Sequence, residues 1–173
     1  MLISRNTEPA CGPAYIGAIG ALALMLLAAV ACAQPPQPAL SAVDDLARDG
    51  RAAMQRGVPL VILFSLPGCS YCEIVRRSYL VPLSRDGGIG QRPLVRETDM
   101  SSHAQLRGFT GEAGSGSALA KQYGIRIAPS VLVLDGRGRQ LAPVLEGGDV
   151  AGMYGAYLDD RLATARRAIE PVQ

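Results

Sequence analysis

An unbroken apolar run, VPLVILF at residues 58–64, leads straight into SLPGCSYCEIV at 65–75. The run is short, rich in β-branched residues and without alternation, which predicts a central strand buried on both faces. Such a strand needs cover above and below, so helices are expected on both sides of a sheet. Two cysteines, Cys69 and Cys72, fall on the way out of that strand. From Ser70 to about Arg85 the periodicity is helical, with Cys72, Val75, Tyr79 and Leu83 on one stripe. Pro82 must kink or end this helix.

The remaining elements follow from the same rules. Ser41 is placed to cap a helix running to Arg56, with Val43, Leu46, Ala47, Ala53 and Met54 at helical spacing and Gly57 as its stop. RPLVRET, 92–98, is a strand candidate. SSHAQLRGFTGEAGSGS, 100–116, lacks periodicity and reads as loop with a short helical turn, and SALAKQYG, 117–124, as a short helix stopped by Gly124. Strands at 130–134 and 139–145 flank DGRG, a hairpin turn signal. Asp149 can cap a last helix whose apolar face is Val150, Met153, Tyr154, Tyr157, Leu158, Leu162 and Ala165. The order of elements is that of an α/β chain, its mixed central β-sheet flanked by helices.

The N-terminus has a different character. Arg5 precedes a run from Ala14 to Cys32 without a charged residue, and ACA at 31–33 is followed by QPPQPAL at 34–40. Positive start, apolar middle and small-residue exit predict a signal peptide over 1–33, a proline-rich tether over 34–40, a folded domain over 41–167 and a tail over 168–173. An uncleaved membrane anchor is the alternative, and AVAC, ending at Cys32, also resembles a lipid-attachment box. Export would place the domain in the periplasm, touching the membrane only through the signal segment or a lipid on Cys32. A formal net charge of +2 gives no electrostatic case for nucleic acid, and the Arg76–Arg77 and Arg166–Arg167 pairs read as solvated helix faces.

Of the four cysteines, removal of the leader leaves Cys69 and Cys72. A disulfide between them would close a tiny loop and constrain little of the unfolded chain, which argues against a staple. A structural zinc site needs four ligands, and the sole histidine, His103, cannot complete one with this pair. Redox chemistry fits the placement. Cys69 stands at the first turn of a helix, where unpaired N–H groups and the dipole favour a thiolate. Cys72, one turn on, faces inward. Thiol–disulfide exchange needs that asymmetry of attacking and resolving thiols. Glu73, one turn after Cys69, opposes the thiolate, so only a moderately lowered Cys69 pKa is expected. Pro129, in IAPS, sits where a strand begins and is either an ordinary trans proline or a cis one.

CSYC after VILFSLPG, IAPSVLVLDGRG some sixty residues later and the order of elements together resemble the thioredoxin superfamily over about residues 41–167. LPGCSYCEIVRRSYLVPL and LAKQYGIRIAPSVLVLDGRGRQL look, more narrowly, like the exported thioredoxin-like proteins of bacterial envelopes. The resemblance implies a thioredoxin-like fold, an attacking Cys69, a resolving Cys72, and a cis Pro129 beside the disulfide, with Ala128 offering main-chain hydrogen bonds to a substrate strand. Tyr71, between the cysteines, would contact substrate or cover the helix end. Two departures stand out. Gly68 replaces the aromatic usual before the first cysteine, and Leu63 replaces the buried acid that serves the resolving thiol. His103 and Glu112 are candidates to replace that acid, with solvated loop positions as the plainer reading.

The function expected on these grounds is an envelope thiol–disulfide oxidoreductase, monomeric and without a cofactor or metal, that reduces or exchanges disulfides of envelope proteins. It would draw electrons from a membrane thiol donor. A peptide-binding or chaperone module without redox turnover is the alternative.

Overall fold

The computed structural model describes residues 39–86 and 92–169. The expected signal segment and most of the tether lie outside the described residues. Helix α1 spans Leu46–Arg56 and strand β1 Leu60–Ser65. A continuous helical segment follows, made of α2 (Ser70–Val75), a π-helical turn (Arg76–Leu80) and α3 (Val81–Asp86). Then come β2 (Leu94–Asp99), β3 (Gln105–Arg107), β4 (Ala113–Ser115), α4 (Gly116–Gln122), β5 (Ser130–Leu134), β6 (Leu145–Glu146) and α5 (Tyr154–Ile169). The last helix thus runs into the stretch read as a tail. Among the described residues no helix is long and apolar enough to cross a membrane.

The main sheet has the order β2-β1-β5-β6, with β1 parallel to β2 and antiparallel to β5. All six residues of β1 are buried, as the apolar run requires. Their side chains alternate between two cores. Leu60, Ile62 and Phe64 join Leu132 and Leu134 under α1 and α4, through Leu46, Ala53, Leu119 and Ala120. Val61 and Leu63 join Val131 and Val133 on the other face, with Val75 and Leu80 of the helical segment and Leu158, Leu162 and Ala165 of α5. One strand therefore belongs to both layers, and burial on two sides explains why its sequence shows no alternation.

Several expectations need correction. Asp45, not Ser41, caps α1, accepting the Arg48 N–H at 2.7 Å. The backbone around Ser41 is already engaged with β2, where the Glu97 N–H donates to the Ser41 carbonyl and the Val43 N–H to the Glu97 carbonyl. Residues 100–116 hold the β3–β4 hairpin rather than a helical turn. Its strands bury only Leu106, so no apolar period marks them. The hairpin is a separate two-stranded sheet, linked to the Ala42–Asp45 segment by an isolated bridge between Arg107 and Asp45.

The expected strand over 139–145 is broken. Gln140 bridges Leu134 and Leu145 pairs with Val131, so six residues on the return chain answer four on β5. Pro143 sits in that bulge, where no ladder N–H is needed. Asp149 precedes the first residue of α5 by several positions and faces the amides of Gly152, Met153 and Tyr154 at the mouth of the helix. Val150, Met153 and Tyr157 are exposed, because α5 packs through Tyr154, Leu158, Leu162 and Ala165.

The π turn also changes which residues face inward. The Val81 N–H donates to the Arg76 carbonyl, five residues back, just before Pro82. A regular helix would bring the Pro82 ring against the carbonyl four residues earlier, and the wider turn relieves that conflict. It also advances the register by one residue. Leu80 takes the buried place after Val75, while Tyr79 and Leu83, expected on the inner stripe, are only half-buried.

Candidate active site

The site is assembled at the end of β1. After Ser65 the chain turns through Leu66, Pro67 and Gly68, and the Cys69 N–H donates to the Leu66 carbonyl at 3.3 Å. Gly68 has φ +71°, in the left-handed region where a side chain is strained. That explains why a glycine stands where an aromatic residue was expected. Cys69 then occupies the N-cap of α2, with extended backbone, and its Sγ accepts the Cys72 N–H at 3.1 Å.

Cys69 and Cys72 form a disulfide, with Sγ–Sγ 2.11 Å and Cα–Cα 5.2 Å. Their exposures differ, as their places on the helix dictate. Cys69 is half-buried at the helix mouth, while Cys72 is 0 % exposed beneath it. An open cavity of about 420 Å³ adjoins Cys69, walled by Leu66, Pro67, Ser70, Glu73 and Arg76.

The charges beside the disulfide are not those the isolated sequence suggested. Glu73 is ion-paired with both Arg76 and Arg77, so its opposition to a Cys69 thiolate is offset by two guanidinium groups. Arg76 is not a solvated residue. It makes a two-pronged contact with Glu97 of β2, Nε to Oε2 at 2.7 Å, and both side chains are mostly buried. Hydrogen bonding to Glu97 raises the Arg76 pKa above its ordinary value, so the guanidinium stays charged. Arg77 remains partly exposed, as a helix-face residue should.

Leu63, where an acid was expected, is fully buried, and Glu97 is its in-register neighbour on β2. The carboxylate on this side of the sheet thus lies one strand over and is held by Arg76. Sequence reasoning missed the Arg76–Glu97 pair. The available signal was a glutamate inside the β2 run and an arginine one turn after Cys72.

The other candidates divide. The Ala128–Pro129 peptide bond is cis. Pro129 is buried at the head of β5, its carbonyl accepts the Gly147 N–H at 2.8 Å, and the Ser130 hydroxyl closes the preceding turn on the Ile127 carbonyl. Tyr71 is half exposed and lies against Gly148, where an added Cβ would come within 2.7 Å of its ring. His103 is exposed and shares a hydrogen bond with Ser117. Glu112 closes the β3–β4 turn by accepting from the Thr110 N–H and hydroxyl, and that bonding lowers its pKa. Among the described residues, no contact brings either of them to the cysteines. Among the described residues no cluster of metal-ligating side chains forms.

The model of the family described as "Thioredoxin-like domain" matches residues 46–161. The chain belongs to that family. Comparison with curated proteins gave no match. Among solved structures, a thioredoxin from Nicotiana alata superposes with a TM-score of 0.50 at 14 % identity, covering 76 % of this chain and 99 % of that one. A "DsbH Oxidoreductase" gives 0.49 at 17 %, covering 76 % and 92 %. A mutant thioredoxin from Halobacterium salinarum gives 0.48 at 16 %, covering 81 % and 100 %. At such identities the likeness concerns the fold alone. A thioredoxin-like domain with a Cys-x-x-Cys disulfide at this place supports thiol–disulfide oxidoreductase chemistry in general.

Proposed function

We propose that this thioredoxin-like chain reduces or exchanges protein disulfides in the bacterial cell envelope, with Cys69 attacking and Cys72 resolving. The observation that carries the reading is the Cys69–Cys72 disulfide at the strand-to-helix junction, with one sulfur half exposed and accepting a backbone amide and the other fully covered. In the reduced protein that amide and the helix mouth stabilise the Cys69 thiolate. The thiolate attacks one sulfur of a substrate disulfide, forms a mixed disulfide and releases the other substrate sulfur as a thiolate, which takes a proton. Cys72 then loses its proton and attacks the Cys69 sulfur. The second substrate thiol leaves, the Cys69–Cys72 disulfide is restored, and two electrons have passed to the substrate.

Supporting surfaces surround the sulfurs. Leu66, Tyr71, Ile74 and Ile127 are exposed apolar side chains on the segments that carry the cysteines and Pro129. An extended substrate can cover them while hydrogen-bonding to the main chain at Ala128. Regeneration requires a dithiol electron donor, for which a membrane thiol transporter is proposed. The apolar leader composition of residues 1–33 supports export.

Reduction of insulin by the dithiol-regenerated protein tests the reading. Turnover is expected for the unaltered chain, and none for Cys69→Ser. Cys72→Ser is expected to accumulate a mixed disulfide with substrate, visible on a non-reducing gel. Insulin bound equally well by Cys69→Ser, without turnover by the unaltered chain, would instead support a peptide-binding module. The reduction potential decides direction, and a value nearer about −270 mV than about −120 mV is expected for a reductase.

A further inference from the structure

Three consecutive residues between β6 and α5 each contact a different segment. Gly147 donates its N–H to the Pro129 carbonyl at 2.8 Å. Gly148 lies under Tyr71, close enough that a side chain there would strike the ring. Asp149 accepts a hydrogen bond from the Tyr79 hydroxyl. Tyr79 belongs to the π turn of the helical segment that begins at Cys69, and its ring packs on Tyr154 of α5 with centroids 4.9 Å apart. A regular helix would turn Tyr79 inward, whereas the extra residue of the π turn brings Leu80 into the core and leaves the phenol at the flank, where Asp149 reaches it.

Only the third of these contacts is made by side chains at both ends. The first is a single backbone bond, and the second is a glycine surface without a polar anchor. Gly147 and Gly152 have φ of +84° and +71°, conformations that glycine adopts without strain. The Tyr79–Asp149 bond thus joins the amides at the mouth of α5 in anchoring the segment that carries Gly148, and it is the anchor that reaches across to the helical segment of the cysteines.

We propose that Tyr79 and Asp149 are positioning residues that select extended polypeptide disulfides: their hydrogen bond seats residues 147–149 so that Tyr71 and the Pro129 main chain form two fixed walls beside Cys69. A peptide must contact both walls, while a small disulfide needs only the sulfur. This rests on the oxidoreductase reading above.

The test compares steady-state reduction of insulin with that of a small aromatic disulfide, dithiobis-nitrobenzoate, by the full chain and by Tyr79→Phe, Asp149→Ala and Asp149→Asn. Loss of the one hydrogen bond in Tyr79→Phe predicts a KM for insulin raised about three- to tenfold, and Asp149→Ala, which also gives up the amides at the mouth of α5, a rise at least as large, with kcat held within about twofold in both. The small disulfide is expected to show a clearly smaller change. Asp149→Asn keeps an acceptor oxygen for the phenol and is expected to rescue the insulin KM. Tyr79→Phe retains the ring against Tyr154, and Asp149→Ala carries the test should that variant not fold. Equal kinetics in all variants, or parallel losses with both substrates, would overturn the proposal while leaving the oxidoreductase reading intact. If the unaltered chain reduces neither substrate, that reading fails first and the proposal with it.

Discussion

The Cys69 sulfur takes a hydrogen bond from the Cys72 amide, and the charges one turn away decide how much further a thiolate is favoured. Glu73 would oppose it, and Arg76 and Arg77 offset Glu73. Replacing Arg76 with Ala removes part of that compensation and strands Glu97, a mostly buried carboxylate. The Cys69 pKa is then expected to rise, read from the pH dependence of alkylation of the reduced protein. The fold should lose about 2 kcal/mol in urea unfolding, less than for a fully buried pair because both partners keep some solvent contact. Asp149 supplies a pH test. The Tyr79 hydroxyl, helped by amides at the mouth of α5, lowers its pKa. A carboxylate with a depressed folded-state pKa contributes stability above its unfolded pKa of about 3.9, and that contribution is lost as pH falls through the folded value. The difference in thermal midpoint between the unaltered chain and Tyr79→Phe should therefore be present at neutral pH and shrink in acid below about pH 4. The two cysteines were legible in the sequence because their contacts are local, one helical turn apart. Arg76–Glu97 and Tyr79–Asp149 were not, because they join residues 21 and 70 positions apart.

At the scale of elements, the sequence showed what depends on apolar pattern and missed what depends on backbone pairing. The run at 58–64 located β1, which spans Leu60–Ser65, to within two residues, because burial on two faces leaves a distinctive composition. The β3–β4 hairpin escaped because its strands bury one side chain, and the break before β6 escaped because a bulge has no side-chain period. The π turn was foreshadowed by Pro82, but its consequence for Tyr79 needed the backbone. Close packing of elements offers another check. Helix α1 approaches the 135–138 turn through Gly50, where an added Cβ would lie 2.2 Å from the Gly136 carbonyl oxygen. Gly50→Ala must push α1 off that turn, with an expected loss of about 1–3 kcal/mol in urea unfolding. The same substitution at an exposed helix position would be favourable.

At the scale of the molecule, among the described residues both cores draw on side chains between Leu40 and Ala165, and Pro38–Gln173 forms a compact unit. A chain beginning at Pro38 is therefore expected to unfold in one cooperative transition and to keep the Cys69–Cys72 couple, checked by calorimetry and by thiol counting with and without reductant. The class of fold was readable because the alternation of helix and strand leaves few ways to cover a two-faced strand. The placement of β5 and β6 against β1 was less so, since it depends on partners distant in sequence. That distance has a price during synthesis. One flank of β1 is met by residues 94–99 and the other only by residues 130–134. A nascent chain that has not yet emerged past Leu134 presents a bare, greasy ribbon edge to its surroundings, so a stalled or clipped product ending before Ser130 should clump or be captured by holding chaperones.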